Sequence, residues 1–484
     1  MIAELKPYPA MKDSGVPWLG EVPEHWPVLP NRAVFSEVKD RDHPDAEMLS
    51  VTITKGVIRQ HALLEDSSKK DSSNQDKSAY KLVRPGDIAY NKMRAWQGAV
   101  GVSEYEGIVS PAYVVQRPRS GIAPRYLHYL LRTPAFAKEA ERWSYGITSD
   151  MWSLRPEHFK MIYSCLPPLP EQAAIVRFLD YADRRIRRYI RAKQKLIKLL
   201  EEQKQAIIHR AVTRGLDPNV RLNPSGVEWL GDVPEHWEVM PLRRASTARC
   251  DGPFGSGLKS GHYTDHGIRV VRLQNIGHAE FRNSSSAYIG ADHYSTLGDH
   301  DVEGGDLLIA GLGDERHPAG RACVAPVSIV PAMVKADCFR FRLQRDRLDP
   351  EFAALHLTAT AVDASSLLSM GATRQRTNLQ STASRAIAVP PIREQQAIVS
   401  HIGNETASCK RGIRIAENEI SLLREYHTRL IADVVTGKFD VREAAARLPD
   451  EVEEPEPLDQ IGAEGDTDEA DVDDADDVPE EAEA

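Results

Sequence analysis

A thirteen-residue phrase occurs twice in the chain and constrains its fold more than any other feature. SGVPWLGEVPEHW begins at Ser14 and SGVEWLGDVPEHW begins at Ser225, so eleven of thirteen letters agree at an offset of 211 residues. A second pair, PPLPEQAAIV from Pro167 and PPIREQQAIV from Pro390, has an offset of 223. Because long-range self-similarity indicates duplicated structural units, we predict a globular block followed by a helix, twice over.

The segment after each proline pair is predicted to be a long helix. Between Ile175 and Ile207, ten positions at steps of four and three residues, Tyr189 and Leu196 among them, carry eight apolar side chains, as in a coiled-coil helix. The equivalent stripe from Ile398 to Leu430, which includes Glu405, is apolar at both ends and weaker in its middle. Two helices of about 43 residues, roughly 65 Å each, favour pairing within the chain. Dimerisation between chains is the alternative, and the stripe alone does not fix the direction of the pairing.

The globular blocks contain short β-like runs that alternate with turns rich in Gly, Pro, Ser and Asp, followed by helical stretches. This pattern predicts an α/β (α+β) fold with a pseudo-two-fold internal repeat. The predicted domains are a first globular domain at 1–166, a helix at 167–217, a second globular domain at 218–389, a helix at 390–440 and a tail at 441–484.

Charge and composition narrow the class of protein further. Residues 450–484 carry 18 acidic and no basic residues, so the net charge of −10 becomes +8 for the rest of the chain. We interpret the tail as disordered and solubilising; competition with nucleic acid for a basic face is the alternative. The sequence shows neither a signal peptide nor an apolar run of the roughly 18 to 20 residues that a membrane helix needs, which predicts a cytoplasmic protein. The five scattered cysteines predict reduced thiols.

The sequence shows no recognisable catalytic motif. It contains no G-x-x-x-x-G-K-[ST] phosphate loop and no glycine-rich methyltransferase loop with an Asn/Asp-Pro-Pro-aromatic motif. The histidines of HYTDH, which begins at His262, are flanked by glycines rather than placed on a helix, and Asp301 and Asp306 lack the E-x-K partner of a metal nuclease. We therefore predict no catalytic residue, cofactor or metal, and interpret the chain as a recognition protein rather than an enzyme.

The basic body and the polar, glycine-flanked loops point to nucleic acid. Lys and Arg contact phosphate or guanine, and Gln and Asn contact adenine. Near Trp96 the alternative is that the tryptophan is core and its basic neighbours are merely solvated. The predicted DNA-binding residues are Lys92, Arg94, Gln97, Tyr145, Thr148, Ser256, Lys259, Arg272, Gln274, Asn275, Arg374, Gln375, Arg376 and Asn378.

Several motifs together resemble the specificity subunit of Type I restriction-modification systems. They are the repeated order of block and helix, the two PP-x-x-EQ-x-x-I helix starts, GIVSPAYVV, and GPFGSGLKSG with QNIG. The resemblance extends from about Lys12 to Asp440. It implies two target-recognition domains, each of which reads one half of a bipartite DNA sequence. It also implies that the two long helices are antiparallel and set the spacer between the halves.

The same resemblance implies a non-catalytic chain whose partners carry the chemistry. These partners are double-stranded DNA, two modification subunits that methylate adenine N6 with S-adenosylmethionine, and restriction subunits that hydrolyse ATP and cut DNA. The helices and the ends of the repeated blocks would dock the modification subunits. The alternative is a coiled-coil protein-interaction scaffold without sequence-specific DNA binding, for which a charge of only +8 leaves room.

The repeated phrase itself is predicted to be structural. Glu24 and His25 suggest a catalytic pair, but their duplicates Glu235 and His236 would then demand two identical active sites. Tryptophans and prolines instead suit a rigid apolar hook. We predict that each copy docks its recognition domain onto a helix end and does not touch bases.

Overall fold

The computed structural model describes residues 5–61, 77–146, 151–254, 257–314, 317–366 and 375–449. The chain divides into two compact units, which are Met1–Ala192 with Glu419–Ala484 (unit 1) and Lys193–Asn418 (unit 2). Each unit contains one globular block, the beginning of the long helix that follows the block, and the end of the other long helix.

The two long helices are Leu169–Arg214, with 46 residues, and Ile392–Val435, with 44 residues. A glutamate lies in the first turn of each helix, Glu171 in one and Glu394 in the other, where its charge suits the positive end of the helix dipole. Gly215 and Gly437 follow the two C-terminal ends with φ of 72° and 77°, the left-handed conformation that glycine adopts without steric cost.

Within each unit the two helices run antiparallel. In unit 1, His427 Nε2 lies 3.1 Å from Asp183 Oδ1, while Arg442, beyond the end of the second helix, donates to Glu171 at the start of the first. In unit 2, Gly215 beyond the end of the first helix lies against Glu394 at the start of the second. The predicted pairing within one chain and the predicted fold class are therefore confirmed.

The buried stripe of the helices differs from the predicted one in the middle. Tyr189 and Leu196 are 52% and 41% exposed, and burial passes from Ile186 to Ile190 instead. The buried or half-buried positions run over 36 residues in ten steps, or 3.6 residues per step, at Ile175, Leu179, Ala182, Ile186, Ile190, Lys193, Ile197, Leu200, Lys204, Ile208 and Ala211. This is the period of a straight α-helix, so a heptad stripe drifts away from the contact face. For the same reason the second helix buries Thr406 rather than the predicted Glu405.

A four-stranded antiparallel sheet with the same strand order lies in each globular block. In unit 1 the neighbours are, in order, Phe35–Val38, Tyr113–Pro118, Ile88–Asn91 and Val100–Val102. In unit 2 they are Ser246–Cys250, Cys338–Leu343, Leu307–Ala310 and Ala322–Val324. When the four strands are numbered along the chain, their order across both sheets is first, fourth, second, third. The duplication therefore extends to the topology, even where the sequence similarity fades.

Two small antiparallel pairs are also repeated. Met11–Asp13 pairs with Glu21–Pro23 in unit 1, as Leu222–Pro224 pairs with Asp232–Pro234 in unit 2. Each block is closed by a strand pair that brings its two ends together; these pairs are Val28–Pro30 with Tyr163–Cys165, and Glu238–Pro241 with Ala386–Val389.

The remaining strands differ between the units. Apart from one pair in unit 2, they are inserted at the same two points of the common sheet, between its first and second strands and between its third and last strands in chain order. Unit 1 has the antiparallel pairs Leu49–Thr52 with Gly56–Arg59 and Lys81–Val83 with Gly107–Val109. Unit 2 has a five-stranded mixed sheet of Tyr263–Thr264, Tyr288–Ile289, Ile268–Val271, Ala332–Val334 and Asp301–Val302. A further pair in unit 2 joins Leu312–Gly313 to Gln375–Arg376.

Short helices complete both units. Those of unit 1 are Asn31–Val34, Pro124–Leu131, Pro134–Arg142, Pro156–Phe159 and Arg442–Ala446. Those of unit 2 are Ala291–Tyr294, Pro350–Ala359, Ala361–Ser366 and Leu379–Ser384. Among the described residues, no helix combines the length and the apolar character needed to cross a bilayer.

The beginning of the predicted tail is folded. Val441 and Ala445 are buried in the core of unit 1, and Arg177 Nη2 donates to the Leu448 carbonyl at 3.0 Å. The predicted start of the disordered tail at 441 is therefore too early. Residues 450–484 lie outside the described residues.

Candidate nucleic-acid interface

The repeated phrase is held by a carboxylate at the start of the first long helix. Trp26 is fully buried, and its Nε1 donates to Glu171 Oε2 at 2.8 Å, while His25 Nε2 lies 2.8 Å from Glu171 Oε1. Tyr8 donates its hydroxyl to Oε2 and Arg442 donates to Oε1. Burial and the neighbouring Glu171 raise the pKa of Tyr8 well above its ordinary value, so this hydroxyl stays a donor. One carboxylate thus fixes four side chains.

The second copy repeats the arrangement in unit 2. Trp237 Nε1 donates to Glu394 Oε1 at 3.1 Å, and His236 Nε2 lies 2.8 Å from Glu394 Oε2. The glutamates come from the duplicated PP-x-x-EQ motif. The two repeated motifs, more than 140 residues apart in each unit, are therefore the two halves of one joint.

The glutamine of each EQ pair ties the same joint to the globular block. Gln172 Oε1 accepts from the Ala123 amide at 2.7 Å, just before the helix Pro124–Leu131. Gln395 Oε1 accepts from the Asp349 amide at 2.7 Å, just before Pro350–Ala359. Both amides precede a helix that begins with proline, so the two units position their second helical element in the same way.

Each joint also contacts the end of the other long helix. In unit 1 a Cβ added to Gly437 would lie 2.3 Å from Pro23 Cδ and 3.0 Å from the Trp26 ring. In unit 2 a Cβ on Gly215 would lie 3.3 Å from the Trp237 ring. The phrase therefore docks its block onto a helix end, as the sequence predicted, and its buried tryptophan and paired histidine have structural roles.

A second recurring contact lies inside the common sheet. Asp87 opens one strand and accepts two hydrogen bonds from Arg117, at 2.7 and 2.8 Å. Asp306 opens the equivalent strand of unit 2 and accepts two from Arg342, at 3.1 and 3.0 Å. Asp87 and Asp306 each follow a glycine in the sequence, and each forms the same bidentate contact with an arginine of the neighbouring strand.

In unit 1 the structure brings two predicted DNA-binding residues into one open groove. Lys92 and Tyr145 line this groove together with Met151, Ser153 and Arg155. Tyr145 is 59% exposed. The backbones hold the groove in shape, because Leu154 donates to the Lys92 carbonyl at 2.8 Å and residues 145 and 153 form a bridge. We call these residues the first groove. Arg155 was not predicted, because one exposed arginine before a proline has no sequence signature.

The neighbouring candidates Arg94 and Gln97 lie on the turn beside the first groove. Trp96 is half-buried against the core of unit 1, donates from Nε1 to the Met93 carbonyl, and packs edge-on against Trp152 at 5.6 Å. The tryptophan therefore has the core role that the alternative interpretation gave it, while Gln97 is exposed. The candidate Thr148 lies outside the described residues.

In unit 2, Gln375 and Arg376 form a short strand that pairs with Leu312–Gly313. Gln375 Oε1 accepts from the Ala319 amide at 3.3 Å, and Arg376, 62% exposed, donates to Asp337 at 3.1 Å. Asn378 Oδ1 accepts from the Ser381 amide and caps the helix Leu379–Ser384, so half of its amide already has a local role. The candidate Arg374 lies outside the described residues.

A buried arginine that the sequence analysis missed organises this region. Arg321 is 5% exposed and donates to the carbonyls of Ile276, Leu312, His317, Pro318 and Leu273. Burial lowers its pKa despite neighbouring acidic groups. These bonds join residues 273–276 to residues 312, 317 and 318, and the strand Leu312–Gly313 pairs with Gln375–Arg376. We call 272–275 with 375–376 the second loop pair.

The residues of the first of these loops have unequal exposure. Gln274 is exposed and Arg272 is half-buried, with its Nη2 donating to Ser285. Asn275 is fully buried; its Nδ2 donates to the carbonyls of Arg282 and Ser285, and its Oδ1 accepts from the Arg272 amide. The prediction that Asn275 contacts bases is corrected accordingly, because its amide is buried and used by the loop.

The remaining candidates lie on the glycine-rich segment. Lys259 is exposed at the turn before Ser260–His262, and its amide donates to His262 Nδ1. The candidate Ser256 lies outside the described residues. Asp301 and Asp306, which were considered as nuclease carboxylates, both form ion pairs with Arg342. Among the described residues no group of three or more His, Cys, Asp or Glu is placed to hold a metal ion.

Comparison with known proteins gives likeness in structure only. No protein-family model and no curated sequence matches the chain. A protein in a structure described as "Structural basis underlying complex assembly and conformational transition of the type I R-M system" matches with a TM-score of 0.60 and 15% identity, over 86% of this chain and 99% of that one.

Two further solved structures resemble the chain. The HsdS subunit from Thermoanaerobacter tengcongensis matches with a TM-score of 0.41 and 15% identity over 86% of this chain and 98% of that one. The Type-I restriction-modification system S subunit from M. genitalium matches with a TM-score of 0.35 and 12% identity over 85% and 96%. The match with the higher TM-score, together with the duplicated blocks and paired helices, shows that the chain has the fold of a protein from a type I restriction-modification (R-M) system.

Proposed function

We propose that the chain is the DNA sequence-recognition subunit of a Type I restriction-modification complex and has no catalytic role of its own. Each globular block reads one half of a bipartite target. The long helices set the spacer between the halves and dock two modification subunits, and restriction subunits join this complex. A cytoplasmic location belongs to the same proposal.

The two blocks share a scaffold and differ in their inserts, and this observation carries the proposal. Identical strand order, the Glu171 and Glu394 joints and the Asp87 and Asp306 clamps mount both blocks alike. The strands inserted at equivalent points are unlike. Two blocks that are attached to the helices in the same way but have different surfaces are suited to bind two different DNA sequences, as DNA-binding proteins with two recognition elements bind two half-sites.

The first groove and the second loop pair offer suitable chemistry for base edges. The first groove combines Lys92 and Arg155 with the exposed ring of Tyr145. The second loop pair presents Gln274 and Arg376 on loops that Arg321 holds in place. Arg and Lys bind guanine or phosphate and Gln binds adenine in the major groove, while rigid loops reduce the entropy lost on binding.

Selection from randomised duplex DNA tests this assignment. The purified chain, alone and with its co-expressed modification subunits, is incubated with a pool of random 40-mers, and the retained DNA is sequenced. We expect an enriched motif of two short halves separated by a spacer of fixed length and free sequence. Retention without any enriched motif, or enrichment of one continuous motif, would contradict the proposal and favour the protein-interaction scaffold.

A further inference from the structure

The first groove and the second loop pair are attached to the same point of the common sheet. Lys92 and Gly311 each directly follow the second strand of that sheet in chain order. The Lys92 carbonyl accepts from the Leu154 amide and the Gly311 carbonyl accepts from the Thr377 amide, both at 2.8 Å. The amides of Lys92 and Gly311 in turn donate to the residue that directly precedes the last strand. The two blocks therefore hold these segments by the same backbone hydrogen bonds.

A common offset makes the two segments equivalent. Leu154 and Thr377 are 223 residues apart, which is the offset of the two PP-x-x-EQ motifs. The same offset pairs Arg155 with Asn378, each of which directly precedes a short helix, and it pairs the first residues of the strands that close the two blocks. The structural repeat therefore extends back from the long helices into segments whose sequences differ.

The side chains of the two segments alternate between core and surface in the same way. Leu154 is buried and Thr377 is half-buried, while the residues that follow them are exposed. The residues that precede them are Ser153, which lines the first groove, and Arg376, which is 62% exposed. Arg376 donates to Asp337 through one nitrogen, and a guanidinium has five N–H donors. Both positions can therefore contact a ligand.

We propose that Ser153 is the counterpart of Arg376, and that these two positions determine specificity at equivalent base pairs of the two half-sites, counted from the spacer. The Glu171 and Glu394 joints attach both blocks to the long helices alike, so one backbone frame presents each side chain at the same place in its block. The side chains differ in what they select, because arginine binds guanine through two hydrogen bonds whereas a serine hydroxyl bonds to several bases. This inference rests on the proposed function.

Exchange of the side chains between the two positions tests the inference. Arg376→Ser and Ser153→Arg are made separately in the full-length chain, which is purified with its modification subunits and used for selection from random duplex DNA. We expect Arg376→Ser to lower the preference for one base of one half-site by about tenfold. Ser153→Arg should create a preference for guanine in the other half-site, at the same number of base pairs from the spacer.

Two further variants make the result specific. Ser120→Arg adds the same charge at an exposed position of unit 1 outside the first groove and should leave both half-sites unchanged. Ser153→Asn is a smaller change than Ser153→Arg and should shift the same base pair towards adenine.

The outcomes separate this inference from the proposed function. A bipartite motif that Arg376→Ser or both Ser153 variants leave unchanged would overturn the inference and keep the proposed function. Changes at unequal distances from the spacer, or an equal change caused by Ser120→Arg, would do the same. The absence of any bipartite motif for the native chain would overturn both.

Discussion

Glu171 is the carboxylate on which the first joint depends most. It accepts from two buried side chains, Trp26 and Tyr8, and pairs with His25 and Arg442. Among the described residues, Glu394 accepts from Trp237, pairs with His236 and is more exposed than Glu171. A buried donor left without an acceptor costs roughly 1–3 kcal/mol, so the two joints are expected to differ in their sensitivity to loss of the glutamate.

We therefore expect Glu171→Ala to lower the free energy of unfolding by about 3 kcal/mol, and Glu394→Ala by about half of that. Urea denaturation followed by tryptophan fluorescence measures both. Glu24→Ala changes an exposed glutamate of the same phrase and serves as the control, with an expected change within about 0.5 kcal/mol. Equal losses for Glu24→Ala and Glu171→Ala would refute the role given to the joint.

Glycine at the helix ends gives a second prediction at this scale. Gly437→Ala places a Cβ against Pro23 at 2.3 Å with φ of 77°, whereas Gly215→Ala has similar φ but contacts no closer than 3.3 Å. We expect losses of at least about 2 kcal/mol for Gly437→Ala and about 1 kcal/mol for Gly215→Ala. Gly403→Ala, in an open helical position, should stabilise by about 0.5–1 kcal/mol. Thermal unfolding ranks the three, and a reversed order would contradict the packing described.

The structural importance of residues that recur in the sequence was predictable, because each forms the same contact in both units. Trp26 with Trp237 and Glu171 with Glu394 form equivalent contacts, and repetition exposes them without an alignment. Arg321 occurs once, directly before the strand Ala322–Val324, and its five carbonyl partners are scattered along the chain. Asn275 was predicted to contact DNA but is buried. The amide side chain that can bind a base can equally hold a loop by hydrogen bonds to its backbone.

The long helices were predictable in extent and pairing, but their contact face was not. The sequence offered a heptad stripe through Tyr189 and Leu196, yet straight helices repeat every 3.6 residues and bury Ile190 and Ile197 instead. A polar contact lies beside the buried stripe in unit 1. Asp183 is buried between Arg187 of its own helix and His427 of the other.

This contact predicts acid sensitivity of unit 1. Burial raises the pKa of Asp183, but its contacts with His427 and Arg187 outweigh burial and bring that pKa below the ordinary value. A depressed carboxyl pKa stabilises the fold above the unfolded-state pKa, near 4, and this stabilisation is lost as the pH falls through the folded-state value. Asp183→Asn should lower the free energy of unfolding by about 2 kcal/mol at pH 7 and by less as the pH falls below about 4. Urea denaturation at pH 7 and pH 3 tests this, and an equal loss at both pH values would exclude the ion pair as its source.

Removal of seven residues from the middle of each long helix tests the proposed spacer role. Seven residues are about two turns and about 10 Å of rise, close to three base pairs of DNA. We expect the preferred spacer to shorten by about three base pairs while both half-site sequences are kept, as read by selection from random DNA. An unchanged spacer would contradict a measuring role for the helices.

At the scale of the whole molecule, duplication explains the architecture. Each unit combines its own block with the start of one long helix and the end of the other, so neither block is mounted on a single helix. The repeat predicted this plan, but the inserted strands escaped prediction because they share no pattern between units. Residues 272–275 of the second loop pair directly follow the inserted strand Ile268–Val271, where composition suggests chemistry without giving geometry.

Sequencing of methylated adenines is the most direct test that each block reads its own half-site. The chain is expressed with its modification subunits in a methylation-free host, and N6-methyladenine is mapped for the native chain, for Lys92→Ala with Arg155→Ala, and for Gln274→Ala with Arg376→Ala. We expect a bipartite motif in which each double variant relaxes one half only, at about 1–3 kcal/mol per lost base contact. Equal relaxation of both halves by either variant, or methylation at a motif without two halves, would contradict the account.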